Sequence, residues 1–196
     1  MNILLDKLPT SIIANGEKLK INTDFRVWIE VSYVLDTLTE KITNDILSGV
    51  TEKIIELAFY EQPKTVNESL FIEIIDFYSG YAPKNTKASG KVERVFDYKN
   101  DADLIYASFA QQYGIRLINE AMHWIEFSTL FKNLGEDTAF RQVIRIRTMK
   151  ANDVPKEQRN DLAKLKELYK LPISKDDEEL INKLSANLSK RAKING

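Results

Sequence analysis

Polar and apolar positions first alternate with the period of a strand. Leu19 and Ile21 share one face while Lys18 and Lys20 share the other. Ser11-Ile12-Ile13-Ala14 precedes this arm, and Asn15-Gly16 separates the two. Asn-Gly is the strongest two-residue hairpin signal, because both positions tolerate positive φ. A β-hairpin is therefore predicted within about residues 1–22, with Ile3-Leu4-Leu5 as a candidate short strand. A lone hairpin is marginal in water, so it must pack on something.

From Phe25 the period becomes helical. Phe25, Trp28, Ile29, Leu35 and Leu38 form one stripe, with Asn22 or Thr23 as the expected cap and Asp24 at the positive end of the dipole. Ile42, Ile46, Val50, Ile54 and Leu57 mark a second helix, from about Ile42 to Ala58. Thr65-Val66-Asn67-Glu68 fits a capping box that opens a third, through Leu70, Phe71, Ile74, Ile75 and Tyr78 to near Gly80. Asn100 and Asp101 are expected to start a fourth, which Gly114 ends. The stretch from Leu117 to Leu134 is apolar round most of a helical circumference, so it reads as one helix lying in a core or against a partner, with Gly135 as its terminating residue. Asp137 opens a helix through Phe140, Val143, Ile144 and Ile146. Pro155 suits a first turn, and Leu162, Leu165, Leu168 and Tyr169 make a narrower stripe before Pro172. Leu180, Ile181, Leu184 and Leu188 make a last amphipathic segment. The fold class expected is mainly α: a helical bundle with a small N-terminal β-hairpin over residues 1–150, and a C-terminal helical extension over 151–196.

Composition narrows the chemistry. The chain has 196 residues, no cysteine, one histidine and a formal net charge of −1. Thiol catalysis, disulfides and thiolate zinc sites are excluded, as is any two-histidine metal site within one chain. Near-neutrality argues against a general polyanion binder. The uncharged run Leu104 to Ile115 is too short for a bilayer-spanning helix of ~20 residues, and Asp6-Lys7 interrupts the opening before a signal-like apolar stretch could form. The expectation is a soluble protein of a cytoplasm, binding neither membrane nor nucleic acid.

Four constellations remain. Glu120 and His123 have the E-x-x-H spacing that places two metal ligands on one helix face, although di-iron bundles need two such motifs. A solvated or hydrogen-bonded histidine, within a polar stripe of Asn119, Glu120, His123 and Glu126, is the simpler reading. Asp97, Asp101 and Asp103 with Asn100 are rich in oxygen, but the calcium-loop pattern is absent and helix capping explains Asn100 and Asp101. Arg141, Arg145, Arg147 and Lys150 lie on one helix, where a solvated face or interface salt bridges are preferred to a nucleic-acid-reading role. Residues 82–94 carry Lys84, Lys87, Lys91 and Arg94 against Glu93 and read as a surface loop. No G-x-S-x-G, G-x-G-x-x-G or P-loop pattern occurs.

One stretch is more specific. Asp101-Ala102-Asp103-Leu104-Ile105-Tyr106-Ala107-Ser108-Phe109, Tyr113-Gly114-Ile115, Met122-His123-Trp124-Ile125-Glu126-Phe127, Thr138-Ala139-Phe140 and Ile144-Arg145-Ile146-Arg147, with Leu8-Pro9 and Asn22-Thr23-Asp24-Phe25-Arg26, resemble the bacteriophage gene-product-15 family of tailed phages and prophages. The similarity runs over nearly the whole chain. Two positions depart from its pattern: Arg116 stands where an acid is expected, and Ile125 where a second aromatic is common. The resemblance implies a tail morphogenesis product encoded where tail assembly chaperones lie, between the major tail protein and the tape measure. It implies no catalytic, cofactor-binding or metal-ligating residues and no cofactor. The expected function is non-enzymatic: a tail assembly chaperone of the host bacterial cytoplasm, able to self-associate. It would bind the tape measure protein or other tail proteins through apolar helix surface. Trp28, Trp124 and Phe131 are candidates for that surface, though core is the better assignment for each. The alternatives are a structural component of the finished tail, a nucleic-acid-binding regulator and, through Glu120 with His123, a metalloenzyme.

Overall fold

The computed structural model describes residues 1–36, 38, 44–81 and 94–172. Element order is a hairpin, β1 (Ser11–Ala14) and β2 (Glu17–Lys20), followed by helices α1 (Phe25–Leu35), α2 (Asn44–Ala58), α3 (Glu68–Tyr78), α4 (Ala102–Tyr113), α5 (Trp124–Lys132), α6 (Ala139–Thr148) and α7 (Arg159–Leu168). Short 3-10 turns at Ala151–Asp153 and Lys156–Gln158 lead into α7. The fold is mainly α, as the periodicity predicts. The last amphipathic segment, Leu180 to Leu188, and the loop lysines Lys84, Lys87 and Lys91 lie outside the described residues.

The strands are antiparallel, with Ile12 opposite Leu19 and Ala14 opposite Glu17. Asn15 and Gly16 have φ of 53° and 76°, the left-handed pair that a tight hairpin turn requires. Asn15 does more than turn the chain: its side-chain amide exchanges hydrogen bonds of 3.2 Å with that of Asn67, tying the hairpin tip to the start of α3. Leu19 and Ile21 are buried, as their alternation predicts. The second arm runs on to pair with the end of α2, where Asn22 N–H donates to the Ala58 carbonyl at 2.7 Å. Ile3-Leu4-Leu5 is not a strand. It forms a turn closed by Asn2, whose carbonyl accepts from Leu5 and Asp6 N–H and whose side chain accepts from Leu4 N–H.

An aromatic spine on α5 organises the core. Phe127 stacks on Phe25 of α1 at 4.6 Å and on Phe109 of α4 at 5.3 Å. Phe131 meets Phe140 of α6 at 5.0 Å and Phe96 at 5.2 Å. Trp28 of α1 lies 4.5 Å from Phe77 of α3, and Tyr78 stacks on Trp124 at 5.2 Å. Helix α5 is thus surrounded by α1, α3, α4 and α6, which explains why its sequence is apolar on almost every side. Phe96 and Tyr98, just after the charged loop, are anchored in the same cluster.

Several helix boundaries differ from the sequence expectation, some by a local change of capping residue and others where a distant segment takes a backbone group. The cap of α1 is Asp24, which accepts from Arg26 N–H at 2.9 Å, while Asn22 instead supports Asp24 N–H. The cap of α3 is Asn67 and not Thr65. Helix α6 begins after Thr138 rather than at Asp137: the Thr138 side chain accepts from Arg141 N–H, and the buried Ser108 hydroxyl accepts from Phe140 N–H at 3.1 Å, satisfying another free amide of the first turn. Gly114 ends α4 in the left-handed conformation, as expected. Gly135 does not terminate α5: the cap is Asn133, and Gly135 N–H goes to Gln112 Oε1 at 2.6 Å. The largest correction concerns the predicted helix from Leu117. Residues 117–119 form a turn, and the helix starts only at Trp124. The Arg26 guanidinium takes the carbonyls of Leu117, Ile118 and Glu120 at 2.6, 3.3 and 3.1 Å. Trp124 N–H turns away to the Thr23 carbonyl at 2.7 Å. The groups that would have closed the first helical turns are therefore engaged by Arg26 of α1 and by Thr23 just before its cap.

Candidate functional site

His123 sits where the hairpin approach, the start of α1 and the start of α5 meet. It is the cap of α5: its Nδ1 accepts from Ile125 N–H at 3.1 Å. Its Nε2 lies 2.9 Å from the Pro9 carbonyl. A backbone N–H can only donate and a carbonyl can only accept, so the pair of partners assigns the proton to Nε2 and leaves Nδ1 bare. Phe25 N–H to the Met122 carbonyl at 3.1 Å completes a short bridge between the two chain segments. Both imidazole nitrogens are committed to backbone groups, so no lone pair faces outward for a metal.

Glu120 does not share a helix face with His123, because neither residue is inside a helix. Its side chain is exposed, and its carbonyl serves Arg26. The E-x-x-H spacing and the polar stripe from Asn119 to Glu126 both presupposed a helix from Leu117, and both lapse with it. Among the described residues, no group of three or more His, Asp or Glu side chains is placed to hold a metal ion.

The aspartates have a different use from the expected capping. Asp101 is the cap residue of α4, yet its side chain makes no capping bond. It forms a two-pronged ion pair with Arg147, Nη1 to Oδ2 at 2.7 Å and Nη2 to Oδ1 at 2.8 Å. The Arg147 and Asp101 side chains are only 12% and 2% exposed. The remaining donors of the guanidinium reach the Val95 carbonyl at 3.1 Å and, through Nε, the Tyr169 carbonyl at 2.6 Å. Asp97 holds Asn100 through its backbone and side-chain nitrogens at 2.6 and 2.7 Å and pairs with Arg94. Asp103 is exposed and apart from this network. Arg147 is thus an interior structural residue and no part of a solvated basic face. Arg141 pairs with Glu136 at 2.6 Å, and Arg145 and Lys150 are exposed, so the four cations do not converge.

The proposed aromatic contact residues are core. Trp28, Trp124 and Phe131 are 0%, 2% and 8% exposed, and both indoles are hydrogen-bonded inside, to the Asn22 and Tyr78 carbonyls at 2.7 and 2.8 Å. The exposed apolar side chains are others: Leu4 and Leu5 on the N-terminal turn, Ile13 on the outer face of β1, Ile118 on the turn before α5 and Leu168 at the end of α7. Leu168 belongs to a stripe the sequence shows, whereas Leu4, Leu5 and Ile118 stand on turns, where no helical periodicity marks them. An open groove of about 460 Å³ runs between α1 and α2, lined by Tyr33, Val34, Ile46, Gly49, Val50 and Lys53. Burial raises the Tyr33 phenol above its ordinary pKa and raises the nearby Asp36 carboxyl as well, with Arg94 opposing both.

The family model described as Bacteriophage Gp15 protein matches residues 4–171. The chain belongs to the bacteriophage Gp15 family. The match takes in the hairpin, every described helix and the Arg147 network. No curated protein and no solved structure matches this Gp15-family chain. No described helix is long and apolar enough to cross a membrane.

Proposed function

We propose that this phage protein is a tail morphogenesis factor, a non-enzymatic tail assembly chaperone that binds the tape measure protein, or another tail protein, in the host cytoplasm. The observation that carries the reading is the pair Leu4 and Leu5, 88% and 82% exposed on a turn that is already ordered. Asn2 N–H donates to Asp6 Oδ2 at 2.6 Å and closes that turn from both ends. Covering one leucine side chain contributes ~1.5–3 kcal/mol, and a turn set before binding loses little further entropy. An apolar knuckle of this kind suits the hydrophobic face of a long helical partner. His123, Asp97 and Asp101, the residues with the most chemical potential, hold the fold together, which favours binding over catalysis.

Co-expression with the tape measure protein of the same phage tests the proposal. A recovered complex that Leu4→Ser with Leu5→Ser abolishes, with folding unchanged, is the expected result. Unchanged solubility of the tape measure protein and no complex would refute it. Mass spectrometry of purified particles separates the chaperone from a finished-tail component, since a chaperone is absent from the virion.

A further inference from the structure

Helix α7 is attached differently from the other helices. Only one of its side chains, Leu162, is buried. Leu165 and Leu168, the next members of its stripe, are exposed. At its first residue, Arg159 Nε is buried with no hydrogen-bond partner, which opposes docking. Two 3-10 turns and Pro155 precede it, so no continuous helix couples it to α6. At its far end the Tyr169 carbonyl accepts from Arg147 Nε at 2.6 Å. That guanidinium is itself fixed by the two Asp101 bonds and by Val95.

We propose that α7 is a releasable arm latched by Arg147. Undocking breaks the Leu162 contact and the Arg147–Tyr169 bond, while the Arg147–Asp101 pair stays with the body. The released helix presents Leu162, Leu165 and Leu168 together. Opening as a unit at lower cost than global unfolding is the behaviour expected of an element with so few buried contacts. Lysine cannot replace the latch, because an ammonium lacks the planar fork that grips Asp101, Val95 and Tyr169 at once. The device is intramolecular and does not depend on which partner the protein takes.

Hydrogen exchange of the full chain, followed by mass spectrometry, tests the latch. In the unaltered protein, amides of 159–169 are expected to lose protection through openings at least tenfold more frequent than those of α5. In Arg147→Lys that frequency should rise at least a further tenfold, the 95–101 segment should loosen with it, and α1 and α5 should keep their rates. The double variant Arg147→Met with Asp101→Asn removes both buried charges and should release the arm in the same way, which covers the case in which the lysine variant folds poorly. Unchanged exchange in α7, or a rise shared equally by α1 and α5, would overturn the proposal.

Discussion

His123 offers a quantitative test of how the junction is held. Replacement by alanine removes two bonds. The first is the 3.1 Å cap on Ile125 N–H, and loss of such a cap costs ~1 kcal/mol. The second is the 2.9 Å tether to the Pro9 carbonyl, with a net value of ~1 kcal/mol. The imidazole also lies 5.8 Å from the Phe77 ring, a packing contact that adds a few tenths. His123→Ala should therefore destabilise the chain by ~2–2.5 kcal/mol, or about 4–10 °C in melting temperature for a chain of this size. His123→Asn separates the two contributions. Its carbonyl oxygen can reproduce the cap, but its side chain is too short to reach Pro9, so about half the loss should remain. Urea unfolding at constant m value measures both variants. A stability change under ~0.5 kcal/mol for alanine, or equal losses for alanine and asparagine, would refute the assignment. Nitrogen chemical shifts of the imidazole give an independent reading: they should report a protonated Nε2 and a bare Nδ1.

Gly114 closes α4 at φ 69° with nothing within 4 Å of where a Cβ would stand, so Gly114→Ala isolates the backbone cost and should lower stability by ~1 kcal/mol without disturbing the core; a stabilising effect in denaturant unfolding would contradict the conformation. Burial pushes the Tyr78 phenol up to about 12, with the Asp36 carboxylate adding to it and the Ser32 hydrogen bond opposing it. Between pH ~10 and ~12 the folded chain keeps a proton the unfolded chain has lost, so this stabilisation is complete below ~10 and falls as pH rises through ~12, by roughly 2–3 kcal/mol. Tyr98 is also raised by burial, so Tyr78→Phe should remove part, not all, of the alkaline decline seen in urea titrations; an unchanged slope would count against it.

Local chemistry was legible at turns and stops, where neighbours in sequence supply both partners, though the capping residues of α1 and α3 are Asp24 and Asn67 in place of the expected Asn22 or Thr23 and Thr65. The Asn15-Gly16 turn, the inward side of Leu19 and Ile21, and the stop at Gly114 all follow from residues within a few positions of each other. So does the mainly helical fold, because periodicity reports which face each segment must bury. The resemblance around Met122-His123-Trp124 carried the family, which residue physics alone did not. The candidate site was misread for one physical reason. Apolar spacing from Leu117 is compatible with a helix, but Arg26, 91 residues earlier than Leu117, takes the carbonyls on which that helix depends. Likewise Asp101 looks like a cap until Arg147, 46 residues away, arrives to pair with it. For Trp28, Trp124 and Phe131 the sequence already favours core over contact surface, and their burial agrees. Short-range pattern thus determined most segments' type and apolar faces, but not residues 117–123 or Ile3-Leu4-Leu5. Tertiary structure decided where the helices begin and that His123 and Asp101 are structural. It also decided which aliphatic side chains face solvent, because hydrogen bonds between distant segments outcompete local ones once packing excludes water.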